Sequence, residues 1–222
     1  MAKKLIAGGI DVRVGPSPPE GIDALIVPVW NARVPAHAGL VELDLGYLAA
    51  RGFEGRLGET QVLLADDGSA VVVVGTGERD RLTIDGLRRA SAASVRALGR
   101  AGKVATALLE AVPAGVGTAE AAQAVVEGAA LASYAFTAFK SEPKPARLAE
   151  LWVVSAEPAA LEGARRGAAV ATAVRLARDL INEPAGSLTP TRLAQVATSE
   201  AGAAGLALTV LDEAAARAAG LG

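Results

Sequence analysis

A glycine pair at the end of an apolar run is the first place where the sequence could do chemistry. Gly75-Thr76-Gly77 follows four valines at residues 71–74. Backbone N–H groups of a glycine-rich turn between a strand and a helix can bind a phosphate. The third glycine of a dinucleotide-binding fingerprint is missing, however, and Glu78 would repel a phosphate. We therefore expect a plain turn and keep a phosphate cradle as the alternative.

The residues around the single histidine and around a pair of aspartates indicate structural roles for both. His37 lies in Arg33-Val-Pro-Ala-His-Ala-Gly, with no neighbouring Cys or second His, whereas a metal site needs several convergent ligands. Asp66-Asp67-Gly68 lies between two apolar runs, which is typical of a hairpin turn. The chain has no Cys, which excludes disulfides and thiolate chemistry. We expect His37 on a surface loop and the two aspartates in a turn.

Aromatic side chains near residue 136 could form a ring-stacking platform for a ligand. Tyr134, Phe136 and Phe139 fall at short spacings in an Ala-rich segment. Such spacing on a helix is better explained by packing into a core. We therefore predict that these rings are core residues.

The basic residues of one predicted helix form a surface that a nucleic acid could use. Four arginines belong to it: Arg88, Arg89, Arg96 and Arg100. Acidic residues elsewhere and a formal net charge of −2 favour a solvated face instead. A nucleic-acid partner is not expected.

The composition predicts a folded α/β protein. The 222 residues are 51% hydrophobic and 21% charged, unlike a disordered chain. Only 3% are aromatic, so the core must consist of Ala, Val and Leu, which suits closely packed layers. The apolar stretch before Asp11 is too short for a signal peptide, and no run reaches the roughly 20 apolar residues of a membrane span. We expect a cytoplasmic protein without a membrane partner.

Short apolar runs, rich in β-branched residues, predict strands. They occupy residues 5–14, 25–30, 62–65, 70–74, 104–109, 151–155 and 206–211. Pro28 indicates an edge position or a bulge, because proline cannot donate to a ladder.

Helical periodicity fills the intervals between the strands. The predicted helices cover residues 87–98, 118–139, about 157–181, 190–203 and a short segment after Asp212. Asp85, Thr189 and Asp212 are the expected N-caps, and Gly99 or Gly102 is the expected stop of the first helix. Gly128 indicates close backbone packing. Alternation of strands and helices predicts a layered α/β sheet.

Three segments, in this order, resemble the leucyl aminopeptidases, also known as cytosol aminopeptidases of peptidase family M17. The first is Val-Val-Val-Val-Gly-Thr-Gly-Glu at residues 71–78, followed by the Arg-rich helix. The second, residues 127–141, is similar to the family helix that ends in Lys-Ser. The third is Ala-Arg-Asp-Leu-Ile-Asn-Glu-Pro-Ala-Gly-Ser-Leu-Thr-Pro at residues 177–190, and it is the most specific. It departs from the family at residues 185–187, where a turn tolerates Gly or Ser.

The resemblance implies a fold in two parts. Residues 1–165 would form a macro-domain-like α/β layered sheet flanked by helices. Residues 166–222 would form the connecting helix and the truncated start of a second α/β domain, the metallopeptidase domain. The resemblance also implies a homo-oligomer, a hexamer, with this domain facing outward.

In the family, two divalent metal ions, zinc or manganese, perform the hydrolysis of peptide substrates. Their ligands lie in a "GKGiTfDsGG" stretch and a later "NTDAEGR" stretch, and neither occurs in these residues. We therefore predict no catalytic, cofactor-binding or metal-binding residue here and an inactive chain with a structural or assembly role. Asn182-Glu183-Pro184 would shape the entry turn, and Glu183 receives no catalytic role.

A second hypothesis is a stand-alone macro-like module that binds a nucleotide or an ADP-ribose-type ligand. The segment at residues 177–190 speaks against it, because such a module has no use for the start of a catalytic domain.

Overall fold

The computed structural model describes residues 5–30, 41–99, 101–113, 115–142 and 148–221. His37 and Arg100 lie outside these ranges, so the predictions made for them are not addressed. The chain comprises two compact units, Met1–Leu176 and Ala177–Gly222. The predicted boundary after residue 165 and the division after Leu176 both fall inside one helix, Pro158–Asn182. The domain boundary therefore stays a prediction.

A mixed sheet forms the centre of the first unit. Its described strands are β1 (Leu5–Ala7), β2 (Ile10–Gly15), β3 (Ala24–Trp30), β4 (Thr60–Leu64), β5 (Ala70–Gly77), β6 (Lys103–Thr106) and β7 (Glu150–Val154). Their order is β1-β2-β7-β6-β3-β5-β4. The pairings between β2, β7, β6, β3 and β5 are parallel, while β1 and β4 add antiparallel edges. This confirms the predicted α/β layered sheet flanked by helices.

Helices cover both faces of this sheet. They are α1 (Leu45–Ala50), α2 (Ile84–Ala97), α3 (Thr118–Ala132) and α4 (Pro158–Asn182). Successive residues of β3 alternate between two cores, with Ile26 packing in one and Val27 in the other. The larger core includes residues of α2, α3 and α4, and the smaller one includes Leu48 of α1. Near-continuous apolar strands suit a sheet that is buried on both faces.

Glycines allow α3 to approach its two neighbouring helices at the level of the backbone. A Cβ on Gly128 would lie 2.2 Å from the carbonyl oxygen of Arg88 in α2. A Cβ on Gly163 of α4 would lie 1.9 Å from the carbonyl oxygen of Ala119 in α3. Atoms cannot approach that closely, so a side chain at either position would push the helices apart. This confirms the close packing predicted at Gly128.

The second unit contains the end of α4 and two further helices, α5 (Pro190–Ala204) and α6 (Glu213–Ala218). The side chains of Thr189 and Asp212 cap them, accepting hydrogen bonds from the backbone N–H groups of Arg192 and Ala215. Both caps were predicted. Gly205, with φ of 67°, ends α5 in the left-handed conformation.

The predicted strand at residues 206–211 is wrong. The segment has no regular secondary structure, and Leu206, Leu208, Val210 and Leu211 are exposed. A strand needs a neighbour that accepts and donates its backbone hydrogen bonds. Among the described residues of the second unit, none forms a strand that could pair with it.

Three predictions in the first unit also need correction. The run at residues 5–14 is the antiparallel pair β1 and β2, turned by Gly8 and Gly9 at positive φ. Pro28 lies in an internal strand, so the edge position is wrong, whereas the alternative of a bulge agrees with a register shift next to it, at Val29/Trp30. Proline is tolerated there because the pairing of β3 with β6 already ends at Ile26. Finally, the N-cap of α2 is Thr83, whose side chain accepts from Gly86, and not Asp85.

Replacing Gly163 with Ala should destabilise the first unit. The added methyl group would collide with a carbonyl oxygen of α3 rather than with a flexible side chain, so we expect a loss of about 1–3 kcal/mol in the free energy of unfolding. Urea denaturation followed by circular dichroism measures it.

Gly202→Ala is the matched control, because a Cβ at that helical position meets nothing within 4 Å. It should leave stability unchanged or raise it by up to about 1 kcal/mol. Equal unfolding curves for Gly163→Ala and the unmodified chain would contradict the close packing of α3 against α4.

Candidate functional site

The segment Gly75-Thr76-Gly77 is the end of β5, and its backbone is already hydrogen bonded. Gly75 N–H donates to the carbonyl of Glu59 at 2.8 Å, and Gly77 N–H donates to the carbonyl of Gly55 at 3.0 Å. The Thr76 hydroxyl is buried and donates to the carbonyl of Val29 at 3.2 Å. The phosphate cradle is therefore wrong for these two N–H groups. The plain turn is wrong as well, because residues 75–77 continue strand β5.

A carboxylate also fills the loop that packs on this segment. Both oxygens of Glu59 accept from Glu54 N–H, at 3.1–3.2 Å, and one accepts from Arg56 N–H at 3.0 Å. Convergent N–H groups of this kind are a common place for a bound anion. Here the anion is the protein's own side chain, so the loop is a structural support for the end of β5.

Arg79 lies at the carboxyl ends of β3 and β5, where it packs on Trp30. Its guanidinium lies 4.8 Å from the ring centroid of Trp30 and donates to the carbonyl of Val112 at 3.2 Å. Ligands of open α/β sheets often bind outside the carboxyl ends of the strands. Sequence reasoning missed this pair because Trp30 and Arg79 are distant in the chain and belong to no motif.

A buried ion pair joins α2 to α3. Arg88 Nε donates to Glu127 Oε2 at 2.8 Å, and Gln123 Nε2 donates to Glu127 Oε1 at 2.8 Å. The side chain of Glu127 is 7% exposed and that of Arg88 is 34% exposed. Arg88 also pairs with Asp85 at 3.2 Å. The expectation of a solvated face is therefore wrong for Arg88, whereas Arg89 and Arg96 are exposed as predicted.

Helix α3 ends at Ala132, seven residues before the predicted end at residue 139. Continuation would require the carbonyl of Ala130 to accept the N–H of residue 134. That carbonyl instead accepts from the Ser133 hydroxyl at 2.9 Å and from Arg175 Nη1 at 3.1 Å. Side chains thus occupy the acceptor that the next turn would need.

The aromatic residues after α3 are therefore not core residues, and that prediction is wrong. Phe139 is 60% exposed, and Tyr134 and Phe136 are half-buried. Phe136 and Phe139 pair with ring centroids 5.8 Å apart, and Arg175 lies 5.5 Å from the ring centroid of Tyr134.

A cleft of about 760 Å³ opens at the amino ends of β3 and β5, between residues 17–23 and residues 65–69. Hydrogen bonds from the N–H groups of Lys103 and Gly102 hold the pKa of Asp23 below its usual value. The hydroxyl and N–H of Ser69 lower the pKa of Asp67 in the same way. Asp23 and Asp67 both line the cleft. The hairpin turn predicted at residues 66–68 is confirmed, because it connects the antiparallel strands β4 and β5.

The described part of the chain offers no set of side chains that could coordinate a metal ion. No group of three or more His, Asp or Glu side chains there could hold an ion. These residues do not fit the metal centre that the family resemblance implies, so we derive no catalytic step through a metal. The assignment of no catalytic, cofactor-binding or metal-binding residue stays a prediction.

The second unit positions the third motif at a helix junction. Glu183 N–H donates to the carbonyl of Asp179 at 3.0 Å, and Leu188 N–H donates to the carbonyl of Pro184 at 2.9 Å. Glu183 is half-buried. The turn leads directly to the capped start of α5. Among the described helices, none combines the length and the apolar composition of a membrane span.

Comparison with known proteins defines the class. Residues 41–143 match the N-terminal domain of the cytosol aminopeptidase family. A probable cytosol aminopeptidase of Mycobacterium ulcerans is 43% identical over 158 residues, which are 69% of this chain and 30% of that protein. One from Syntrophotalea carbinolica is 35% identical over 210 residues, 86% of this chain and 42% of that protein. The fold and these matches define an N-terminal peptidase region.

Solved structures agree. The bottromycin maturation enzyme BotP is 34% identical with a TM-score of 0.75, over 89% of this chain and 41% of that one. A tomato leucine aminopeptidase has a TM-score of 0.79 at 21% identity, over 96% of this chain and 46% of that one, and it supports the fold alone. The chain belongs to the cytosol aminopeptidase family and represents its N-terminal portion. It spans less than half the length of these relatives.

The Arg88–Glu127 pair should show coupling in a double-mutant cycle. Arg88→Met leaves the carboxylate of Glu127 buried with the hydrogen bond from Gln123 but without its ion pair, so we expect a loss of about 2 kcal/mol in the free energy of unfolding. Glu127→Leu should cost less, because Arg88 keeps Asp85 and solvent. The double variant Arg88→Met/Glu127→Leu should lose about 1–2 kcal/mol less stability than the sum of the two single losses.

Chemical denaturation of the four proteins gives the coupling energy. Arg89→Met, at the exposed neighbouring position, is the control and should change stability by less than about 0.5 kcal/mol. Strict additivity of the two single substitutions would contradict an energetic role of the pair.

Proposed function

We propose that this chain serves a leucyl-type aminopeptidase, an enzyme that removes N-terminal residues from peptides, as its non-catalytic structural part. The chain alone would be inactive. The complete enzyme would be a cytoplasmic homo-oligomer, a hexamer as the family resemblance implies. Residues 1–165 would form the outward domain, and residues 166–222 would lead into the catalytic domain.

The exposed apolar surface of the second unit is the observation that carries this proposal. Ile181 is 83% exposed, Leu206 is 67% exposed and Val210 is 55% exposed. Leu206 and Val210 belong to one short segment, residues 206–211, in which Leu208 and Leu211 are exposed as well. Exposed apolar side chains concentrated in this way usually mark a surface that another part of the protein covers. The segment follows the family motif at residues 177–190, so the covering structure would be the remainder of a catalytic domain.

Metal chemistry would belong to that remainder. One structure of the bottromycin maturation enzyme BotP is a complex with Mn. Two divalent ions, zinc or manganese, would be held by residues of that remainder and would supply Lewis-acid chemistry for peptide hydrolysis. The described part of this chain would contribute folding and assembly, since the carboxylates of Glu59, Glu127 and Asp23 accept hydrogen bonds that hold loops and helices together.

The stand-alone module that binds ADP-ribose is not favoured. A phosphate-binding turn would need free N–H groups at the end of β5, but Gly75 and Gly77 donate to the carbonyls of Glu59 and Gly55.

A chimaera tests the proposal. This chain replaces the matching region of the Syntrophotalea carbinolica relative, and release of leucine from a leucyl peptide is measured with Mn²⁺ or Zn²⁺. We expect activity in the chimaera within about tenfold of the parent relative, because the relative supplies the chemistry and this chain supplies only the scaffold. The 222-residue chain alone should release no leucine.

Two outcomes would contradict the proposal. One is leucine release by the metal-loaded chain alone. The other is a folded chimaera that is inactive while the parent relative is active. Calorimetric titration of the chain with ADP-ribose is the control for the module hypothesis, and it should show no saturable heat.

A further inference from the structure

Strand β4 is a sheet edge beside which the described residues place no further strand. It lies at one end of the described sheet, and its sequence is Thr-Gln-Val-Leu-Leu at residues 60–64. Natural proteins commonly protect an edge strand with a charged residue, a proline or a bulge, because unpaired backbone groups bind other strands. β4 has no charge and no proline, and its pairing with β5 is regular over all five residues.

The backbone of alternate residues points away from β5. Gly75 N–H donates to the carbonyl of Glu59, and Ala65 N–H donates to the carbonyl of Ser69. These two bonds flank β4 at residues 59 and 65, so the backbone groups of odd-numbered residues face β5. Since backbone groups alternate along a strand, those of Thr60, Val62 and Leu64 face the open edge.

The side chains of the same residues leave apolar surface beside that edge. Val62 is 50% exposed and Leu64 is 79% exposed, whereas Leu63 packs against the smaller core on the opposite face. Exposed apolar groups next to unpaired N–H groups are suited to pairing with another strand.

We propose that β4 pairs with β4 of a second copy of this chain, antiparallel and around a twofold axis at Val62. In this register Val62 lies opposite Val62 of the other copy, and Thr60 lies opposite Leu64. Each outward N–H then meets a carbonyl. Glu59 lies opposite Ala65 and Asp66 lies opposite Gly58, so acidic side chains do not oppose one another. This charge pattern, with the uncharged strand, favours a second copy as the occupant.

The contact is small. A pair of five-residue strands buries less than the roughly 800 Å² per partner of a standard interface. We therefore expect weak dimerisation that depends on concentration. The inference goes beyond the proposed function, because pairing requires no peptidase activity. Within a hexamer it would be one of several contacts.

Single cysteines test the register, since the chain has no Cys of its own. Cα atoms of a hydrogen-bonded antiparallel pair are about 5.5 Å apart, which allows a disulfide. Val62→Cys should therefore give a disulfide-linked dimer under mild oxidation. Two copies of Leu64→Cys would be separated by at least about 14 Å, so dimer formation should be at least about tenfold slower although Leu64 is the more exposed.

A mixture of Thr60→Cys and Leu64→Cys chains should give the mixed dimer, because those residues face each other in the proposed register. Equal cross-linking rates at positions 62 and 64 would overturn the register. No dimer of Val62→Cys at any concentration tested would overturn the pairing.

Sedimentation velocity provides an independent measurement on the chain without cysteines. Val62→Lys puts two like charges opposite each other and should raise the dimer dissociation constant by about tenfold or more. Ile6→Lys, at an exposed apolar residue of the opposite edge strand β1, is the control and should not change it. Unchanged association of Val62→Lys, or a monomeric chain that binds an added Thr-Gln-Val-Leu-Leu peptide, would overturn the second copy as the occupant.

Discussion

The first unit depends on the backbone-level contact of α3 with α2 on one side and α4 on another. Three glycines make it possible. A Cβ on Gly128, Gly163 or Gly167 would come within 2.2, 1.9 or 2.6 Å of a carbonyl oxygen of the neighbouring helix. Interiors of proteins are packed as densely as organic crystals. A methyl group at these positions could be accommodated only by moving whole helices.

This constraint explains the composition. A chain with 3% aromatic residues has few large side chains to fill wide gaps between layers, so the layers must be close. Val125, Val126 and Ala129 of α3 are completely buried, as are Ala164 and Ala171 of α4. The same proximity places Glu127 beside Arg88, so Glu127 and Gly128, the first two residues of the segment at 127–141, both have a structural explanation. Glycine permits the approach, and the carboxylate joins the two helices.

The sequence was sufficient for most of the architecture. Strands β3 and β5 and helices α2, α4, α5 and α6 were predicted because their apolar periodicity and caps are local signals. The end of α3 was not, because it depends on Arg175, which lies 45 residues away from Ala130. The segment at residues 206–211 has strand composition but no described partner strand. Contacts between residues distant in the sequence decide both the end of α3 and the conformation of residues 206–211. A local sequence pattern does not reveal such contacts.

The candidate site could be predicted only in part. The hairpin turn at residues 66–68 follows from local turn chemistry. The commitment of Gly75 and Gly77 to the loop at residues 55–59 depends on a β4–β5 register that the sequence does not reveal. The Arg79–Trp30 contact likewise joins residues with no shared motif. The motifs indicated the family, and the structure shows which contacts the motif residues make.

Native-state hydrogen exchange tests the central role of α3 most directly. The account predicts that the amides of Val125, Val126 and Ala129 exchange only when the first unit unfolds globally, together with the central amides of β3 and β5. Helix α3 cannot open alone, because two helices contact its backbone. Exchange of the α3 amides by local opening, at a free energy well below that of β3 and β5, would contradict it.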